Sequence, residues 1–340
     1  MLPVTLLPRV QPRVVIFSIF PPWKHGRKPS SRLGEERRNN MATHTSRQWM
    51  VTHEWMLKGN RQSEWIEKRG ILLWLAFYCG GLGGGLYLVS LFFNNLWGMI
   101  VGWVIVAVLK GSFHFAFLGK PARFWRMVFH PQTSWLSRGL LFVLSFTGAA
   151  FIQIILSLTL PGSPLEILFK VVAGIFALAV ATYTGFVLNK VKGVPFWNLP
   201  ILPVLFVIGG ILGGFGLTVG MGIFNEQINL HAAENWSRVF LIIDVLLISI
   251  YLALAARKDE TGKKSVLYQL KGGLAVIFWS GVVLAGAILP FIITFYSYFA
   301  GDAAPGLIIT AVICEIAGGM LLRYCLLKSA IYSPLIALKA

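Results

Sequence analysis

Acidic residues are scarce in this chain, with 13 Asp and Glu against 30 Lys and Arg in 340 residues, and charged residues of both signs make up 13%. An ordinary soluble domain carries nearer 25%, so a water-soluble globule is excluded. Cysteine is scarcer still: Cys79, Cys314 and Cys325 are far apart or confined to apolar stretches. Iron–sulfur and zinc centres need several thiolates at close spacing, so no metal or cluster motif is present, and a disulfide framework has no support. Of six histidines, His114 alone falls inside a long apolar window. A membrane-embedded haem needs two axial ligands facing each other across helices, which argues against a b-type cytochrome. The ten-residue alternating segments of a β-barrel are missing too. Any electron carrier is then diffusible or belongs to another subunit.

What the chain has is hydrocarbon. Hydrophobic residues make up 56% and the mean hydropathy is +0.72. Windows of about 20 apolar residues cross a bilayer as helices, and eight are visible, at 71–93, 97–118, 139–160, 167–189, 201–224, 237–256, 273–298 and 306–327. Backbone groups in lipid must be satisfied internally, so the predicted fold is all-α, a polytopic integral membrane helix bundle of about eight transmembrane helices.

The net charge of +17 is a topology signal before it is anything else. Thirteen Lys and Arg precede the first span, and others fill the connections between spans two and three, four and five, and six and seven. The alternate connections hold none. Cytoplasmic loops concentrate Lys and Arg, so both termini are expected in the cytoplasm. No accessible fold of a nucleic-acid-binding type is visible.

Residues 1–40 read as foreign to the rest, and Met41 opens a more natural lead-in, so a translation start at Met41 is expected, with a disordered basic tail as the alternative. Residues 41–70 form a polar cytoplasm-side lead-in, 71–328 the eight-helix domain and 329–340 a tail. Glycines crowd the first span (Gly80, Gly81, Gly83, Gly84, Gly85) and the fifth. Small residues four apart let helices approach closely, so packing explains them and the first span is expected at the centre. The spacing fits two four-helix halves, without a sequence repeat.

Two features carry chemistry. The run from Gly119 to Gly139, GKPARFWRMVFHPQTSWLSRG, sets Lys120, Arg123 and Arg126 among Trp125 and Trp135, a pattern for a headgroup-level surface where a partner or lipid docks. The second is a short set of ionisable residues at membrane depth, where they are costly and usually functional: Lys110, His114, Asp244 and Glu315. Lys110 and His114 are four apart and share a helix face. His114 either relays a proton beside a carbonyl oxygen or is satisfied by a neighbouring helix. Asp244 and Glu315 either form a proton path or pair with Lys110 to pin helices together. Arg323 reads as a snorkelling charge.

Three stretches, in order, resemble one family. GGLGGGLYL (Gly80–Leu88) looks like the Gly-rich opening helix of the polysulfide reductase membrane-subunit, or NrfD-like, family. LGKPARFWRMVFHPQTSWLSRG looks like its loop after the second helix, and ATYTGFVLNKVKGVPFWNLPILPVLF like its fourth helix and the Pro-x-Trp-Asn turn into the fifth. The resemblance covers about 65–330. It implies an eight-helix subunit of the prokaryotic cytoplasmic membrane that exchanges electrons between quinone (menaquinone or ubiquinone) and a ferredoxin-like iron–sulfur subunit, wired in turn to a catalytic subunit, often a molybdopterin enzyme. It places a quinone-pocket tyrosine at Tyr183 and polar site residues near the start of the first helix, where Glu64, Glu67 and Arg69 stand; Glu67 is taken as the candidate. His114 is added from its depth rather than from the family. Many relatives dock the iron–sulfur partner on the outer face, against the side that charge counting gives here. The competing reading is an ion- or proton-coupled transporter, which should show broken helices and inverted repeats; a purely structural anchor is the third.

Overall fold

The computed structural model describes residues 59–300 and 304–334; the expectations for residues 1–40 and for the end of the tail lie outside them. Eight helices among the described residues are long and apolar enough to cross a membrane, the number read from hydropathy. They are α1 (Gly70–Phe92), α2 (Leu96–Phe117), α3 (Trp135–Thr159), α4 (Pro164–Asn189), α5 (Ile201–Gly222), α6 (Leu230–Lys258), α8 (Ile277–Ala300) and α9 (Pro305–Lys328), with a short surface helix α7 (Glu260–Leu270) before α8. A 3-10 helix, Pro121–Phe129, lies in the connection between α2 and α3.

Three spans begin three or more residues earlier than hydropathy predicts, and capping is the reason; in α4, three residues early, Ser163 accepts from the Glu166 amide. Ser134 accepts a hydrogen bond from the Ser137 amide and Asn229 one from the Ala232 amide, so α3 starts four residues early and α6 seven. A side-chain acceptor satisfies an amide of the first turn, and an apolar window is blind to it. The extra turns of α6 bring Glu234 into the bundle, four residues before Arg238. Two other features left no trace in the apolar pattern: π-helical turns over Ile105–Lys110 in α2 and over Ile277–Ile288 in α8.

The Gly-rich α1 is central, with 72% of its most apolar window buried, the largest share of any span. It packs along α5 through glycines: a Cβ at Gly85 would strike the Gly210 carbonyl. Helices α1–α4 make one group and α5, α6, α8 and α9 another, joined along α1–α5 and α4–α5. The Pro-x-Trp-Asn turn is an anchor between α4 and α5. Trp197 is fully buried and its indole N–H donates to the Leu326 carbonyl at 2.8 Å.

The basic side is also knitted by backbone. The Gln62 amide donates to Ala330 O (2.9 Å) and the Tyr332 amide to Asn60 O (2.7 Å), so the segment before α1 runs antiparallel to the one after α9.

Candidate functional site

An apolar cavity of about 210 Å³ lies between α2, α3 and α4, beneath the 3-10 helix. Its walls include Phe115, Leu140, Val143 and Leu144, and its polar side chains are Lys110, His114, Thr147 and Tyr183. Lys110 Nζ donates to the Tyr183 hydroxyl at 2.6 Å and to the Ala76 carbonyl at 3.3 Å. Both side chains are almost fully enclosed, Lys110 at 2% exposure and Tyr183 at 3%. Two glycines make the room. A Cβ at Gly139 would strike the Tyr183 ring, and one at Gly80 would sit 2.9 Å from Lys110 Nζ.

Proton directions follow from the donor inventory. An ammonium has three donors and no acceptor, so Lys110 occupies a lone pair of the Tyr183 oxygen and leaves the phenolic hydrogen free to point elsewhere. His114 Nδ1 lies 3.3 Å from the Lys110 carbonyl. A carbonyl only accepts, so Nδ1 carries the hydrogen and Nε2 is left as an acceptor. With Lys110 fixed on Tyr183, the cavity therefore offers a phenolic donor and an imidazole acceptor in an apolar slot. That set suits a flat ligand with oxygens at its ends, one to be held and one to lose a proton.

Of the expected site residues, the structure gathers Tyr183, His114 and Lys110 around this cavity and sets Glu67 apart. Glu67 is exposed and accepts from Lys328 Nζ at 2.8 Å. The ladder between the lead-in and the segment after α9 holds it there, and the Lys328 hydrogen bond keeps its carboxyl below the usual range. In the headgroup run, Lys120, Arg123, Trp125 and Arg126 are exposed, with the Arg126 guanidinium 5.6 Å from the Trp125 ring centre. Trp135 belongs to the bundle instead. It stacks on Phe186 of α4 at 4.6 Å and 17°, because the early start of α3 carries it into the first turn.

The acids expected to pair with Lys110 lie elsewhere. Asp244 and Glu315 line a separate cavity of about 40 Å³, together with Tyr78 and Arg323; Lys110 faces α4 and stands apart from it. Arg323 is no snorkelling charge: it is 5% exposed, donates to the Phe206 carbonyl at 3.2 Å and lies 5.0 Å from the Tyr78 ring centre. Ser237 donates to Glu315 Oε2 at 3.3 Å. Among the described residues, Asp244 Oδ1 and Glu315 Oε1 have no hydrogen-bond partner, and the cavity is large enough for water. A smaller void joins Glu315 and Ser237 to Glu234 and Ser297. Glu234, which the apolar windows missed, pairs with Arg238 at 2.9 Å and accepts from Ser297 at 3.2 Å. A polar file thus runs through the second helix group, from Arg323 near the basic face to Glu234 in the second turn of α6.

Comparison with known proteins places this architecture. A family model described as "Polysulphide reductase, NrfD" matches residues 70–334. The C subunit of polysulfide reductase from Wolinella succinogenes is 30% identical over 172 residues, covering 48% of this protein and 52% of that subunit. Protein NrfD of Escherichia coli is 30% identical over 231 residues, covering 56% and 68%. The Protein NrfD homolog of Haemophilus influenzae is 25% identical over 138 residues, covering 38% and 41%. The match thus spans about half the length of the polysulfide reductase subunit. With the family match running from the first residue of α1 past the end of α9, the chain belongs to the polysulphide reductase NrfD family.

Proposed function

We propose that this chain is the quinone-reactive membrane subunit of a multisubunit respiratory oxidoreductase. It exchanges electrons between a membrane quinol, of the menaquinone or ubiquinone type, and a ferredoxin-like iron–sulfur subunit. That partner serves a catalytic subunit, for which a molybdopterin enzyme is the expectation. The observation that carries the reading is the Lys110–Tyr183 hydrogen bond in the wall of an apolar cavity, with His114 beside it. In quinol oxidation, two electrons leave to the partner and two protons leave the ring oxygens. Tyr183 holds one oxygen by its hydroxyl while that oxygen's proton passes to water at the basic face, and His114 Nε2 takes the proton from the other. The exposed Lys120, Arg123, Trp125 and Arg126 above the cavity form the surface for the partner or for lipid headgroups.

The proton path is assigned to the file Arg323–Asp244–Glu315–Ser237–Glu234, without Lys110. It rests on two buried carboxylate oxygens with no protein partner beside a cavity that admits water. A transporter reading has less support, since α1, α3, α4, α5, α6 and α9 run unbroken, where transporter sites use interrupted helices.

One experiment tests both parts. The complex is reconstituted in liposomes, and quinol oxidation and proton movement are recorded together. Tyr183→Phe is expected to slow quinol oxidation about 100-fold, in the range for loss of a positioned acid–base group, with subunit assembly intact. Glu315→Gln is expected to keep quinol oxidation and to lower protons moved per quinol. Wild-type oxidation by Tyr183→Phe would overturn the quinone site; an unchanged proton count in Glu315→Gln would overturn the path.

A further inference from the structure

A groove of about 480 Å³ opens on the outside of the second helix group, between α6 and the π-helical half of α8. It exists because those two stretches scarcely touch, and small residues among larger apolar ones widen it: Ser249, Ala253 and Ala256 on α6, and Ala287 on α8. At the basic end it is roofed by α7, through Val266 and Leu270, and by Trp279, whose indole N–H donates to the Leu270 carbonyl at 3.0 Å. The roof bars a membrane-spanning helix from lying along the groove. The lining also rejects a quinone head, because Ser249 is its one hydroxyl and that donates to Val245 O at 2.8 Å. What remains is a slot for a flexible hydrocarbon chain.

The α6 wall and the α7 roof both end in cations. On α6 the line Ser249, Ala253, Arg257 advances by four residues, and on α7 the line Lys263, Val266, Leu270 advances by three and four, so each basic residue continues a groove-lining face. Arg257 is exposed and has no side-chain hydrogen bond or ion pair among the described residues. Lys263 has only a 3.8 Å approach to the exposed Glu260. An apolar slot topped by two exposed cations at the headgroup level fits one class of molecule, since basic pockets at the membrane surface hold anionic lipid headgroups.

We propose that this groove is a binding site for an anionic phospholipid, with an acyl chain along α6 and α8 beneath α7 and its phosphate between Arg257 and Lys263. The site is separate from the quinone cavity and stands whether or not that reading holds. The full complex, purified in mild detergent, is exchanged into mixed phosphatidylglycerol and phosphatidylcholine, and retained lipid is read by native mass spectrometry. Wild type retains phosphatidylglycerol over phosphatidylcholine. Arg257→Ala with Lys263→Ala weakens that retention about 25-fold, or roughly fivefold for each basic residue removed. Ala253→Trp, which fills the slot and keeps both cations, removes the retained lipid while assembly and quinol oxidation persist. Equal retention of the two lipids by wild type, an unchanged adduct in the double variant, or a quinone or protein segment found in the groove would each overturn the proposal.

Discussion

Lys110 shows what can and cannot be read from a single residue. Its depth and its i+4 relation to His114 are plain in the sequence, but its partner is not. Two acids at mid-membrane look like the natural counter-charges for a buried lysine, yet the structure gives it a phenol and a carbonyl. Replacing Lys110 by Met keeps the volume and removes the donor. Loss of a hydrogen bond from a charged group, about 1.5–3 kcal/mol, is expected to slow quinol oxidation by roughly 10- to 100-fold. Because Lys110 acts through Tyr183, the Lys110→Met, Tyr183→Phe pair should be little slower than the worse single variant; additive losses would mean independent roles. Glu67 gives the opposite lesson, since position near the first helix suggested a site and the fold ties it to Lys328. Glu67→Gln is expected to leave quinol oxidation unchanged, as exposed ion pairs contribute little. The sign of its titration agrees: a carboxyl held below its usual range keeps the tie at and above that range and loses it as pH falls through the lowered value.

At the scale of elements, the eight spans are legible because apolar length is, and their ends are less so because caps are side-chain events. The π turns lie beyond reach of pattern reading: an i+5 ladder has no composition of its own, and such turns gather at functional sites. The one in α2 ends on Lys110. The contact of α3 with α4 also shapes the cavity, since Gly139 is where the Tyr183 ring lies against α3. Gly139→Val is expected to push that ring out of place, leaving helix content by circular dichroism as in wild type while quinol turnover falls towards that of Tyr183→Phe. Retained turnover would show that the ring has slack.

For the whole molecule, sidedness is the property most openly written in the sequence. All the connections that hold Lys and Arg are on the face where the two backbone termini of the described residues meet. A reporter fused to the C-terminus is expected on the cytoplasmic side, as fluorescence of a cytoplasm-folding protein and silence of a periplasm-requiring phosphatase; the reverse pattern would place the quinone cavity near the outer surface. The division into two helix groups was open to the spacing, but the assignment of chemistry to each was not. Tyr183 and His114 are in the first and the acids in the second, and only the packing of α1 against its neighbours shows that Lys110 belongs with the former.

The neighbouring glycines of α1 have a consequence of their own. Gly80 meets Lys110 and Gly81 meets Arg323, so two residues of bare backbone are all that lie between the Lys110 side of α1 and the Arg323 side, where the acid-lined cavity is. A side chain cannot be added to that partition at either point without displacing a cation on one side of it. At this place α1 is held by a cation on each side, whereas further along, at Gly84 and Gly85, it is held by the backbone of its neighbours.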